Sequence, residues 1–121
     1  MKYTFLTLLI MLPVFLFALS KTPDPESWTL EERMLGGFRL TTTDNKNAKK
    51  SLDFAIAELA KEKSKKVELV KFHKVYQQVV AGMNYRMLVE LKIDGVKEFW
   101  ILQVYRDLKG KMQLTEKKRW E

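Results

Sequence analysis

The chain offers little for making or breaking bonds. His73 is its only histidine, and it has no cysteine. A hydroxyl nucleophile activated by a histidine would have to use His73. Thiolate nucleophiles, disulfides, cysteine-zinc sites and multi-histidine metal sites are all impossible. His73 itself lies in a stretch that reads as a strand, where a packed or surface histidine is the plain reading. No catalytic residue, metal site or cofactor is therefore expected, and the chain is read as a binding protein, not an enzyme. Its best candidate for binding is Gln78-Val79-Val80-Ala81-Gly82. Turns are usually polar, so Val79, Val80 and Ala81 at a turn form an apolar tip that asks for a partner surface. Gly82 allows a backbone conformation closed to other residues. The Gln78 amide both donates and accepts, so it can bridge and stiffen the loop, and a stiff loop loses little entropy on binding. The plain alternative is a buried hairpin end. A second candidate is the apolar island Met34-Leu35-Gly36-Gly37-Phe38, whose plain reading is a flexible joint before the first strand.

These segments need elements to hold them. Arg39 to Thr43 is β-branched enough for a short strand. Asp44 is a fair N-cap. After it Ala48, Leu52, Ala55, Ile56, Leu59 and Ala60 recur at helical spacing, which predicts an amphipathic helix over about Asn45 to Lys63. Its small, smooth stripe suits packing on a sheet. From Val67 the period becomes two. Val67 to Gln78 reads as a strand. Met83 to Asp94 alternates almost cleanly, with Leu88 out of pattern, so it reads as a long antiparallel strand with one wet face. Asp94-Gly95 is a type I′ hairpin signal. Lys97 to Arg106 and Met112 to Lys117 follow as strands, joined by a turn over Asp107 to Lys111. The order β-α-β-β-β-β predicts an α+β domain, one helix on a roughly five-stranded antiparallel sheet. Because a meander alternates ends, the turns at Val79–Gly82 and Asp107–Lys111 fall at the same end, and the glycine island can join them.

The first twenty residues differ from the rest. Lys2 precedes an apolar run from Phe5 to Leu19, and Ala18-Leu19-Ser20 offers small residues for a peptidase. The run is shorter than the roughly 20 residues of a spanning helix, and Pro13 interrupts it. Residues 1–20 are read as a cleaved signal peptide, which implies a secreted, extracellular protein with no stable membrane anchor. Residues 21–33, polar and carrying Pro23 and Pro25, read as a flexible leader. Trp28 has no role in that picture. Residues 34–121 form one domain, as a length of 121 allows. The net charge is +7, but acids interleave with the lysines and no nucleic-acid motif appears, so nucleic acid is not an expected partner. A solvated basic surface is the plain reading.

In its central pentapeptide the chain resembles the cystatin family of cysteine-protease inhibitors, whose signature is Gln-x-Val-x-Gly between the second and third strands. Gln78, Val80 and Gly82 fit it without a gap. Gly36-Gly37 ahead of a helix containing Ser51-Leu52-Asp53-Phe54-Ala55 is similar to the family too, and the likeness runs from about Met34 to Thr115. It implies a monomeric, reversible, competitive inhibitor of papain-like proteases, cathepsin L-type above all. Gly36 would be the pivot where the N-terminal arm leaves the protease nucleophile, and Met34 and Leu35 would fill substrate pockets.

The resemblance has limits. Many members carry Pro-Trp in the second hairpin; here Asp107 and Leu108 stand in those places, and Leu108 is the nearest apolar substitute. The cysteines of the secreted vertebrate-type members are absent. Lys61–Lys66 lacks the asparagine with which some members inhibit legumain, so no legumain site is expected. The protease-binding residues implied are Met34, Leu35, Gly36, Gly37, Gln78, Val79, Val80, Ala81, Gly82, Asp107 and Leu108. The missing Pro-Trp and the basic charge leave one alternative of another class, a non-inhibitory cationic module for membranes or acidic ligands.

Overall fold

A computed structural model describes Asp24, Pro25, Trp28 and residues 36–120. The expected signal peptide and the pair Met34-Leu35 lie outside the described residues. The elements are β1 (Phe38–Thr41), α1 (Lys46–Lys63), β2 (Val67–Val80), β3 (Gly82–Ile93), β4 (Val96–Arg106) and β5 (Met112–Trp120). The strands form one antiparallel sheet in the order β1-β2-β3-β4-β5. One helix on a five-stranded meander is the predicted architecture. Among the described residues no helix is long and apolar enough to cross a membrane.

The helix starts one residue later than Asp44 would dictate. Asn45 is the N-cap: its side-chain oxygen accepts from the backbone N–H of Asn47 at 3.0 Å and of Ala48 at 3.1 Å, satisfying two of the donors a helix start leaves orphaned. At the other end Ser64 adopts a left-handed conformation, φ 53°, and Lys65 N donates to the Ala60 carbonyl, closing the last turn. The face on the sheet is Ala48, Ser51, Leu52, Ala55 and Leu59, all buried. Four of the six residues of the predicted stripe are among them; Ile56 and Ala60 are half-buried, and Ser51 joins. The small residues let the helix sit close over Val75, Tyr85, Met87, Val89, Leu91, Leu102 and Val104.

Strand limits differ from the sequence reading in ways that matter. The first strand begins at Phe38 and ends at Thr41, because its register against β2 runs from Phe38–Gln78 to Thr41–Val75. The second strand continues through Val79 and Val80, paired with Met83 and Gly82. Ala81 alone turns the chain, so the tip is far tighter than the expected Val79–Gly82 loop. β5 runs on to Trp120. Asp94 and Gly95 have φ of 47° and 87°, the positive pair that a type I′ turn needs.

The face away from the helix is not simply wet. Leu88, out of pattern in the alternation, is fully buried there with Ile101 and Trp28, and Tyr76 and Trp120 pack against them. Trp28 is 7 % exposed, meets Tyr76 edge-on at 5.5 Å, and its carbonyl accepts from Lys74 Nζ at 2.9 Å. So Trp28, within the stretch read as a leader, is seated on the sheet. Trp120, the last residue of β5, meets Phe99 edge-on at 5.8 Å.

Candidate functional site

The site grows from one cross-strand row. Phe38 pairs with Gln78, Gln78 with Asn84, Asn84 with Tyr105 and Tyr105 with Gln113. This row spans all five strands at one end of the sheet, and beyond it lie the β2–β3 tip, the β4–β5 turn and the Gly36-Gly37 entry. The three segments expected to share an edge do so.

Gln78 ties the entry to the first hairpin. Its Nε2 donates to the Gly36 carbonyl at 2.7 Å, and its Oε1 accepts from Asn84 Nδ2 at 2.8 Å. Gly37 has φ 85°, which disfavours any side chain, and it lies beside Gln78, in ordinary contact range of its Cγ. Gly36 has open space where a Cβ would go.

The tip is apolar and braced. Val79 is 76 % exposed and Val80 about half as much; Ala81 is exposed. The Tyr105 hydroxyl donates to the Ala81 carbonyl, fixing the turning residue from the neighbouring hairpin. Gly82 has φ 111°, and a Cβ on it would collide with the Arg106 carbonyl oxygen and lie 3.0 Å from Asp107 Cα. The two hairpins thus touch backbone to backbone, a contact that only glycine permits.

The second turn is built around a carboxylate. One oxygen of Asp107 accepts from the backbone N–H of Lys109 and of Lys111, each at 2.9 Å. Asp107 N donates to the Lys111 carbonyl at 2.9 Å. This Asx-type closure needs both the carboxylate and the N–H, neither of which proline has. Asp107 is thus bound up in the turn, and its neighbour Leu108 is left 83 % exposed at the tip. Between the hairpins lies a groove of about 450 Å³, lined among others by Val79, Val80, Met83, Arg106, Asp107 and Leu108. Arg106 reaches back from it to donate to Asn47 Oδ1 at the start of α1. Beneath, burial pushes the Tyr85 phenol above its ordinary pKa, with Arg106 and Asn47 pulling the other way.

Of the residues singled out in the sequence, Gly36, Gly37, Gln78, Val79, Val80, Ala81, Gly82, Asp107 and Leu108 gather at this edge. Asn84, Tyr105 and Arg106 were not singled out. Asn84 and Tyr105 sit one strand pair apart in the polar row, a signal readable only once the register is known. His73 lies elsewhere, on the outer face, with Nε2 3.5 Å from Glu90 Oε1 and its ring 5.5 Å from Phe99. Among the described residues no three His, Cys, Asp or Glu side chains cluster as a metal site would need. What the edge presents to solvent is a braced apolar surface of Val79, Val80 and Leu108.

Comparison with known proteins gives two findings. A family model described as the cystatin domain matches residues 36–119. Among solved structures, the chain is similar to the salivary cystatin of the soft tick Ornithodoros moubata, with a TM-score of 0.58 and 16 % identity over 71 % of this chain and 98 % of that one. At that identity the likeness speaks to the fold. No curated protein matches the chain.

Proposed function

The chain belongs to the cystatin family, and from that premise we propose that it is a reversible, tight-binding, competitive inhibitor of papain-like cysteine proteases, cathepsin L-type above all. The observation that carries this reading is the tip of the first hairpin, where Val79 and Val80 stand exposed on a turn fixed by Gln78, Tyr105 and Gly82. Exposed apolar groups held rigid are the economical way to bind, since burial is favourable and little freedom is left to lose. The Gln78–Ala81 tip and Leu108 would enter the cleft from one side. Met34 and Leu35 would fill the non-primed pockets from the other, with the arm turning away at Gly36. No peptide carbonyl is then offered to the thiolate in a cleavable pose, so the inhibitor blocks without being consumed. Secretion follows from residues 1–20 acting as a signal, and the protein works as a monomer.

The test is kinetic. With a cathepsin L-type protease and a small peptide substrate, rising substrate should relieve inhibition, and the intact mass of the inhibitor should not change on prolonged incubation. Cleavage of the chain, or inhibition that substrate cannot relieve, would contradict the reading. Binding that fades steeply with salt would instead favour the cationic, non-inhibitory module.

A further inference from the structure

Gln78 is held at both ends of its amide. A glutamine amide has a donor end and an acceptor end, and turning it over exchanges them. In this sheet the acceptor end faces Asn84 Nδ2 at 2.8 Å and the donor end faces the Gly36 carbonyl at 2.7 Å. Only one orientation serves both neighbours. If the amide turned over, its oxygen would face the Gly36 carbonyl, acceptor against acceptor. The Gly36 carbonyl only accepts, so it sets which end of the Gln78 amide faces it. Asn84 secures the other end, placing its N–H₂ group against Gln78 Oε1 so that the side chain is held from both sides.

We propose that Asn84 is a positioning residue for the inhibitory edge: by holding the far end of the Gln78 amide it keeps that side chain against the Gly36 carbonyl, and so steadies the point from which the preceding residues continue. Asn84 need touch no protease. It acts at one remove, through Gln78, on the segment that the inhibitory reading assigns to the non-primed pockets. In its effect on affinity the inference rests on that reading; in its effect on Gln78 it does not.

The experiment therefore has two arms, both on the chain from Lys21 onward. The first follows the Gln78 side-chain N–H₂ resonances and the exchange of nearby backbone amides by NMR, with no protease present. In Asn84→Ala the Gln78 N–H₂ group should lose its protection, and in the near-isosteric Asn84→Asp it should turn toward the new carboxylate. Unaltered Gln78 resonances and exchange in both variants would overturn the proposal. The second arm measures inhibition of papain by Asn84→Ala, Gln78→Ala and the double variant. Losing one bridging hydrogen bond should weaken inhibition roughly three- to tenfold through faster dissociation. The double variant should be no weaker than Gln78→Ala alone, since Asn84 has nothing left to hold. Losses that multiply independently would overturn the proposal. If the parent chain inhibits no protease at all, the inhibitory reading fails with its affinity arm, while the NMR arm still decides whether Asn84 holds Gln78.

Discussion

Gly82 faces the carbonyl oxygen of Arg106 with no room between them for a methyl group. The first hairpin is thereby seated on the second, and the two tips act as one body. The signature glycine is required twice, by its φ of 111° and by that contact.

Gly82 and Gly36 should accordingly respond differently to substitution. Gly82→Ala strains the backbone and pushes the hairpins apart, so stability should fall by about 1–3 kcal/mol and inhibition should weaken strongly. Gly36→Glu meets open space and should leave stability unchanged while still weakening inhibition, because the arm can no longer lie against the protease. Urea unfolding beside inhibition constants checks both. Unchanged inhibition in the two variants would remove the wedge.

Leu108 offers a gain of function. Its side chain is almost free of its own protein, so Leu108→Trp should cost no stability. An aromatic anchor at an interface centre is worth more than about 1 kcal/mol, so inhibition should tighten by roughly tenfold. Asp107→Pro should not repair the turn: it removes both the carboxylate and the N–H that close it. A lowered melting temperature in Asp107→Pro, and not in Leu108→Trp, is the expected pattern.

Acid should loosen the far side of the sheet. Arg86 bridges Glu116 through two hydrogen bonds, at 2.5 and 3.1 Å. The Arg86 hydrogen bond holds the Glu116 carboxyl below its ordinary pKa of 4.5, against the opposing effect of burial. A carboxyl whose folded pKa is depressed contributes stability above its unfolded pKa and loses it as pH falls through the folded one. Stability should thus be level above about pH 5 and decline as acid is added below it. Glu116→Gln should flatten that decline. Denaturation midpoints of the two proteins between neutral and acidic pH give the comparison.

Trp28 closes the outer cluster over Leu88 and Ile101. Trp28→Ala should cost about 3 kcal/mol, the low end for an aromatic removed from a packed site, although no sequence periodicity includes this residue. Trp28→Phe should recover much of it. Thermal unfolding of the three proteins checks the claim.

Most of the architecture was legible because the signals were local. The stripe of α1, the alternation of β3 and the Asp94-Gly95 turn each announce themselves within a few residues. What was not legible depended on contacts distant in sequence. Leu88 broke the alternation because Trp28, sixty residues earlier in the chain, comes to cover it, and nothing in either neighbourhood says so. The tip proved tighter than a four-residue turn because Val80 pairs with Gly82, a register that periodicity cannot give. Gln78 and Gly82 were readable from their types, but their partners Asn84 and Arg106 were not, since both lie on neighbouring strands. Asp107 looked like a lost proline; the structure explains it as the carboxylate around which this turn is built.

The central claim is that this edge fills a papain-like active site. Titrating active papain of known concentration with the chain beginning at Lys21, verified as monomeric, tests it most directly. The account predicts that activity falls linearly and is extinguished at one inhibitor per protease. Full activity in the presence of a large molar excess of folded monomer would contradict it.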